Sequence, residues 1–301
     1  MKTRILFFVL ILTASASFAQ QDAQFTQYMY NTININPAYA GSREVMSIFG
    51  LHRTQWVGLS GAPVTNALSL NTPINNSKIG IGLSAINDRI GPTVENTLSV
   101  DVSYTVQTSE TYKLSFGVKG TGNFFNLDAS QLNPVDIDPS LVNYNKFSPN
   151  IGAGVYFHSD KSYIGVSVPN FIQSNRYNSD NVAILKERIN YYFIAGYVFD
   201  LNPNIKFKPA LLTKLVTGSP LQVDVSGNFM FYNKFVIGAA YRWDAAVSAL
   251  AGFQITDGLY VGYGYDMETT RLRKYNSGSH EVFLRFELFD NSNKIVSPRF
   301  F

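Results

Sequence analysis

The segment from Val94 to Gln107 alternates apolar and polar residues over an unusual length. Neighbouring side chains of a β-strand point to opposite faces, so the pattern predicts a strand with one apolar and one polar face. An ordinary strand has about 5–6 residues, whereas a strand that crosses a membrane needs ~9–11. Only Asn96 interrupts the pattern, whose apolar face holds Val94, Leu98, Val100, Val102, Tyr104 and Val106.

Similar alternation recurs along the chain and predicts fourteen antiparallel strands. Most of these segments are long enough to cross a bilayer when tilted. Only closure into a barrel removes the unpaired edges of so many long strands. We place the strands at residues 45–53, 65–73, 78–88, 94–107, 112–126, 148–158, 162–168, 188–200, 205–216, 222–232, 235–243, 245–255, 259–267 and 280–289.

The connections between these strands separate by length. Every second connection is short and rich in turn residues, namely "INNS", "TSET", "HSDK", "LNPN", "YNK" and "TDG". All the long connections, such as "RTQWVGLSGAPVT", fall at the opposite end. Outer-membrane barrels with an even number of strands keep short turns in the periplasm and longer loops outside. The sequence therefore predicts one all-β, closed outer-membrane barrel of about fourteen strands.

The N-terminus has the features of a secretory signal. Lys2 and Arg4 precede an apolar run from Ile5 to Leu12, and Ser17-Phe18-Ala19 forms a small-x-small cleavage site. The alternative, a membrane anchor, would need a longer apolar run to span ~30 Å of hydrocarbon. We divide the chain into a signal peptide (1–19), an N-terminal plug or periplasmic segment (20–44), a transmembrane barrel (45–289) and a C-terminal tail (290–301).

Composition agrees with a membrane barrel and argues against other classes. The chain has 23 Phe, 18 Tyr and 22 Gly, and aromatic rings are typical of the two interfaces of such a barrel. Without the two basic residues of the signal, 22 of the 24 remain against 21 acidic residues, and no basic run suggests nucleic-acid binding. There is no Cys, so a lipoprotein anchor and disulfides are excluded.

No catalytic or cofactor site is predicted. His52, His158 and His280 have no metal-ligand spacing, no Gly-x-Ser-x-Gly elbow is present, and His158 is expected in a solvated turn. The Gly-x-Gly pairs at 80–82, 152–154 and 262–264 do not complete a phosphate-loop motif. We expect them to make room for a ring or for something inside the barrel.

Two further features leave alternatives open. Asp136 and Asp138 in "VDIDP" suit a turn, or a calcium site without the usual twelve-residue loop. Arg53 suits either pairing with a carboxylate in the lumen or a rigid contact surface with Gly61-Ala62-Pro63. Trp56 suits either that surface or an interfacial belt of aromatic rings.

The segment from Gln24 to Gly41, "QFTQYMYNTININPAYAG", carries no charge and has neither a helical nor a strand period. Asn36-Pro37 favours an extended or turned backbone. Its amides and rings suit a lumen wall better than lipid. We therefore expect an ordered plug that packs into or under the barrel mouth and pins the first strand; a flexible leader is the alternative.

Several segments resemble the PorP/SprF family of outer-membrane proteins associated with type IX secretion. "QFTQYMYNTININPAYAGS" is similar to the opening of the family, and "RTQWVGLSGAPVTNALSLNTPI" to its R-x-Q-W-x-G-x-x-G-A-P-x-T block. The resemblance continues to "VSPRFF" at the C-terminus. The candidate partner-binding or structural residues from these blocks are Asn36, Pro37, Tyr39, Gly41, Arg53, Gln55, Trp56, Gly61 and Pro63.

The resemblance implies a non-enzymatic barrel in the outer membrane of a Gram-negative bacterium. Such a barrel supports secretion or surface attachment of large type IX cargo, such as gliding adhesins with a C-terminal signal domain, together with other secretion components. The alternative function is a transport channel for small solutes. A lipase-like enzyme is a third possibility, but no residue set supports it.

Overall fold

The computed structural model describes residues 28–74, 78–131, 143–174 and 188–288. The signal peptide, the C-terminal tail, Asp136 and Asp138 lie outside these ranges. The strands are β1 Met46–Thr54, β2 Val64–Pro73, β3 Ile79–Ile90, β4 Thr93–Gln107, β5 Lys113–Leu127, β6 Tyr144–His158, β7 Ser162–Val168, β8 Asn190–Tyr197, β9 Phe199–Asn202, β10 Ile205–Val216, β11 Gln222–Phe231, β12 Phe235–Arg242, β13 Ala246–Gln254, β14 Leu259–Glu268 and β15 Ser279–Leu288. Short 3-10 helices span Tyr28–Tyr30, Thr32–Asn34, Pro37–Tyr39, Ala129–Gln131 and Arg271–Lys274.

The strands form one closed antiparallel barrel. Fourteen of them make the ring, as the sequence predicts, and β9 is an additional short strand. The ring closes where β1 pairs with β15, in a register that runs from Met46 opposite Leu288 to Thr54 opposite His280. Every strand of the ring thus has a neighbour on both sides along at least part of its length, which closes the ring. Among the described residues, no helix is both long enough and apolar enough to span a membrane.

The single strand predicted at 188–200 is wrong, because the structure divides it into β8 and β9. Gly196 lies opposite Ala210 and Phe199 opposite Phe207 in one register on β10, which then shifts by one residue at Ile205. Val198 lies between them with its side chain buried, and its N–H donates to the carbonyl of Lys161 at 2.7 Å. The pairing of β8 with β7 stops at Tyr197, so β9 pairs with β10 alone.

Strand β6 begins at Tyr144, four residues before the predicted start at 148. The sequence assigned Tyr144 to Phe147 to the preceding loop and placed Pro149 inside the strand, although proline cannot donate to a strand ladder. In the structure Pro149 pairs with Gly122 of β5, whereas the pairs between β6 and β7 begin only at Ala153. Pro149 therefore lies where β6 has one partner, which is where a strand tolerates proline.

The barrel carries apolar side chains on its outside and polar side chains on its inside, the reverse of a soluble protein. On β4, Leu98, Val100 and Val102 are exposed on the outer face, while Ser99, Asp101 and Ser103 are buried on the inner face. The chain lies in the outer membrane of a Gram-negative bacterium, so the exposed apolar side chains contact lipid and the polar ones line the lumen. The alternation that predicted the strands also assigns their two faces.

The two ends of the barrel differ as predicted. One end, here called the turn end, has the connections 74–78, 108–112, 159–161, 203–204, 232–234 and 255–258. The other, here called the loop end, has the connections 55–63, 91–92, 128–143, 169–189, 217–221, 243–245 and 269–278. By the rule for even-numbered barrels, the loop end faces the outside of the cell.

Because the outer face contacts lipid, we predict that a charge placed there lowers the stability of the barrel. Val118 of β5 is 60 % exposed there. Val118→Arg should cost about 2–4 kcal/mol of folding free energy, because the charge must enter hydrocarbon. Urea unfolding in lipid bilayers measures this cost, with Val118→Leu as the control. Equal stability of the two variants would contradict a lipid-facing position for Val118.

Candidate functional site

The lumen contains a folded piece of the chain itself, Tyr28–Arg43, here called the lumen segment. It forms three short 3-10 helices, and most of its side chains are buried. Asn36 starts the third helix, where its side chain accepts a hydrogen bond from the N–H of Ala38 at 3.0 Å and Pro37 occupies the first turn. Gly41 then reverses the chain with a φ of 70°. This segment is the described part of the predicted plug, and its role as a plug stays a prediction.

Glycines of the barrel wall give the lumen segment its space. A Cβ atom at Gly117 would overlap the backbone of Pro37 and Ala38, and one at Gly80 would overlap the carbonyl of Ala40. Gly262 instead makes room for the ring of Phe283. For Gly80 and Gly262 these contacts confirm the expectation of room for a ring or for something inside the barrel, whereas a Cβ at Gly152 would overlap the carbonyl of Pro169.

Hydroxyl groups of the wall hold the backbone of the lumen segment. Ser103 Oγ donates to the carbonyl of Ala40 at 2.7 Å, and Ser167 Oγ donates to the carbonyl of Ile35 at 2.6 Å. In the opposite direction, Asn36 Nδ2 donates to the carbonyl of Val155 at 3.1 Å. These bonds give partners to backbone groups that no longer contact water. A buried backbone group without a hydrogen-bond partner costs free energy.

Tyr30 anchors the lumen segment on the other side of the barrel. Its ring packs against Phe283 and Tyr260, with centroid distances of 4.8 and 5.5 Å. Lys208 Nζ lies 5.4 Å from the centroid of this ring, and Arg285 Cζ lies 5.6 Å from it. Two buried basic side chains thus lie close to one aromatic ring, and the attraction of a cation to such a ring strengthens when water is excluded.

An ion pair ties the end of the lumen segment to the last strand. Arg43 binds Glu287 through its Nε, and the two side chains are buried. The guanidinium of Arg285 lies 3.6 Å from the same carboxylate. Arg43 also donates to the hydroxyl of Tyr39 at 3.4 Å, and Tyr39 packs edge-on against Tyr156. The start of β1 is therefore fixed to the closing strand.

Arg53 lies in the lumen near the loop end. Its Nη1 is 2.6 Å from Asp266 Oδ2 and 3.0 Å from Glu281 Oε2, and all three side chains are buried. Of the two possibilities that the sequence leaves open, the structure shows the pairing with carboxylates. The guanidinium cannot at the same time form an exposed contact surface.

Trp56 follows β1 in a left-handed conformation, with a φ of 46°. Its ring nitrogen donates to Glu268 Oε1 at 2.9 Å, and its backbone N–H donates to Ser279 Oγ at 3.2 Å. Trp56 thus connects the loop after β1 to β14 and β15. It is partly buried against protein and does not project as a belt ring.

Backbone hydrogen bonds join neighbouring loops into a rim at the loop end. Val57 exchanges bonds with the loop 269–278, donating to Gly278 at 2.9 Å and accepting from Ser277 at 2.8 Å. Gly61 accepts from Gly91 at 2.9 Å, and Gln55 donates to Pro63 at 2.9 Å. The residues of the R-x-Q-W block therefore shape one connected surface.

The expectation of a solvated His158 is wrong. His158 ends β6 with its side chain buried in the lumen, stacked on Tyr156 at 5.0 Å and 3.5 Å from Ser115 Oγ. The strand extends one residue further than the turn signal suggests. His52 and His280 point to the outer face, so the three histidines do not converge.

Lys208 and Arg43 are lumen residues that no sequence pattern above predicted. The inner face of β10 mixes lysines with Ala210, Leu212 and Val216, which obscures its polar character. A signal was present, because Lys206, Lys208 and Lys214 share one parity along this strand. For Arg43 the only signal was its place as the first charge after an uncharged segment.

Comparisons with known proteins agree with this architecture. The family model "Type IX secretion system membrane protein PorP/SprF" matches residues 17–286. Among solved structures, the Ralstonia pickettii toluene transporter TbuX has a TM-score of 0.52 at 10% identity, covering 84% of this chain and 91% of that one. Acinetobacter baumannii Omp33 has a TM-score of 0.49 at 8% identity, covering 81% and 98%. No curated protein matches the sequence.

The glycine contacts predict a difference between two positions on β5. Gly117→Ala should lower the urea midpoint of unfolding, because its Cβ meets the backbone of the lumen segment. Gly120→Ala is the matched control, since nothing lies within 4 Å of a Cβ there. The same midpoint for both variants would mean that the segment does not press on the wall at Gly117.

The Arg53 cluster predicts a larger cost. Arg53→Met deprives Asp266 and Glu281 of a buried cation, and removing one partner of a buried ion pair costs about 3–5 kcal/mol. Lys113→Met, which breaks a partly exposed pair with Glu44, should cost no more than about 1 kcal/mol. Unfolding free energies from urea titration compare the two. A cost for Arg53→Met as small as that of the control would contradict a tight buried pair.

Proposed function

Because the chain belongs to the PorP/SprF family of type IX secretion system membrane proteins, we propose that it attaches a large secreted protein to the cell surface. The cargo in this proposal is an adhesin-like protein with a type IX C-terminal domain, of the kind used in gliding. Other secretion components contact the barrel, and no chemical step takes place on it.

The contacts between the lumen segment and the barrel wall are the observation that carries this proposal. Residues of the lumen segment meet the wall through glycine contacts, serine hydroxyls, a stacked tyrosine and a buried ion pair. A segment held by so many buried contacts is costly to displace, because its polar groups would lose their partners. A barrel occupied in this way suits holding a macromolecule better than passing solutes.

The rim at the loop end supplies the surface for the partner. Arg53 and Trp56 fix the base of the loop 55–63, and backbone bonds connect it to the loop 269–278. A preordered surface loses less conformational entropy when a partner binds. In this proposal Gln55, Gly61 and Pro63 shape the rim, whereas Asn36, Pro37, Tyr39 and Gly41 hold the lumen segment.

The second candidate is a channel for small solutes. It is favoured by a fold shared with a toluene transporter of Ralstonia pickettii. At 10% identity that likeness concerns the fold alone. A channel function requires the lumen segment to leave its place, and this requirement separates the two candidates.

A disulfide that holds the lumen segment in place tests the proposal. The chain has no Cys, and Ser69 Oγ donates to Asn31 Oδ1 at 2.9 Å. The double variant Asn31→Cys/Ser69→Cys should join the segment to β2 by a reducible disulfide link, formed directly on oxidation or through a short bis-methanethiosulfonate linker, because the two side chains are in contact. We expect the oxidised variant to keep the large secreted protein on intact cells, and pulldown from detergent extract to recover that protein.

Conductance in planar bilayers gives the second measurement. We expect no steady conductance from the wild type or from the double variant, whether oxidised or reduced. The single variants Asn31→Cys and Ser69→Cys control for the substitutions themselves. Conductance that appears on reduction, or solute uptake by liposomes with no protein partner recovered, would favour the channel and overturn the proposal.

A further inference from the structure

A row of polar side chains crosses the outer face of four neighbouring strands. His52, Asn66, Asn87 and Asn96 lie directly opposite one another from β1 to β4. His52 Nδ1 is 2.8 Å from Asn66 Oδ1, Asn66 Nδ2 donates to Asn87 Oδ1 at 3.5 Å, and Asn87 Nδ2 donates to Asn96 Oδ1 at 2.8 Å. We call these four residues the amide row.

The amide row lies where the lipid-facing apolar surface ends. Toward the turn end, the next outward residues include Leu68 and Leu98, each more than half exposed, with Ala85 between them; Leu83, also more than half exposed, lies one level further along β3. Polar side chains at one level on four strands are costly inside hydrocarbon, even when they bond to one another. The row therefore belongs at the level of the headgroups, on the loop-end side of the bilayer.

Arg89 stands immediately beyond the amide row. It is the next outward residue of β3 toward the loop end, between Val64 of β2 and Val94 of β4. Its side chain is exposed, and it forms no ion pair with any residue in the described ranges. An exposed cation above a row of amides faces the headgroup region of the outer leaflet.

We propose that this surface binds a phosphorylated glycolipid of the outer leaflet. Arg89 binds the lipid phosphate, because a guanidinium matches a phosphate with two parallel hydrogen bonds. The remaining donors and acceptors of the amide row bind sugar hydroxyls. The acyl chains lie on Leu83 and Leu98, which are exposed at 53% each. Cation, amides and apolar surface thus follow the order of the parts of such a lipid.

A lipid fits this face better than a second protein does. The face belongs to a barrel in the outer membrane, so lipid surrounds it in the absence of any partner. The hydrogen bonds of the amide row connect its members, so it needs no partner strand or side chain to complete it. A protein partner at this face is nevertheless a distinct outcome of the experiment below.

Native mass spectrometry of the full barrel in detergent micelles tests the proposal, with bisphosphorylated lipid A as the probe. We expect the wild type to retain the probe and Arg89→Gln to retain it at about a tenfold lower occupancy, the size of effect expected for one charge-assisted contact. Dephosphorylated lipid A should bind both proteins equally and weakly. Arg271→Gln is the matched control, because Arg271 is an exposed cation at the same end of the barrel, in the loop 269–278.

Three results would overturn the proposal. Equal retention of the probe by Arg89→Gln and the wild type would remove the role of Arg89. An equal loss in Arg89→Gln and Arg271→Gln would show that net charge alone attracts the lipid. A second barrel copy in the spectra, lost in Asn87→Leu while lipid retention is unchanged, would assign the face to a protein contact. A heat-modifiable shift in gel electrophoresis confirms that each variant is folded.

Discussion

The hydrogen-bonding demand of a backbone in hydrocarbon determines this structure. No water reaches the N–H and C=O groups there, so each must bond to another strand. The pairing of β1 with β15 meets this demand by closing the ring. Closure then requires the apolar side chains to face outward and the polar ones to face a narrow interior. Both the lipid surface and the lumen follow from this one constraint.

Closing the barrel produces a polar interior, and the side chains there need hydrogen-bond or ion-pair partners. A lumen lined by Ser, Asp, Lys and Arg side chains must offer each of them a partner, or the buried polar groups are costly. The chain supplies much of this from its own N-terminal residues, which bring carbonyls to serines and Arg43 to Glu287. Other buried charges pair within the wall, as Lys119 does with Asp101 at 2.9 Å. The wall and its contents are therefore one polar network, and such networks resist partial change.

The sequence predicted the number of strands in the ring, the two faces of the regularly alternating strands and the end at which each connection lies. These features depend on alternation and on turn chemistry, which are local. The split at Val198 and the long β6 depend on where a neighbouring strand ends, which no local pattern reports. Likewise, the pairing of Arg53 with Glu281 joins residues far apart in the chain. The sequence left the position of Arg53 open, and only the closed barrel decides which charges meet.

The position of the lumen segment also sets the order in which the protein is assembled. Tyr30 contacts Tyr260, 230 residues later, and Arg43 contacts Glu287, 244 residues later. The first part of the exported chain must wait for the last strand before its contacts are complete, and such long sequence separations slow folding. Strands β1 and β15 can then complete their pairing only around a lumen segment that is already inside the barrel. The N-terminus would act as an internal template, and a truncated chain lacking β15 would lose the contacts of the lumen segment with Phe283, Arg285 and Glu287.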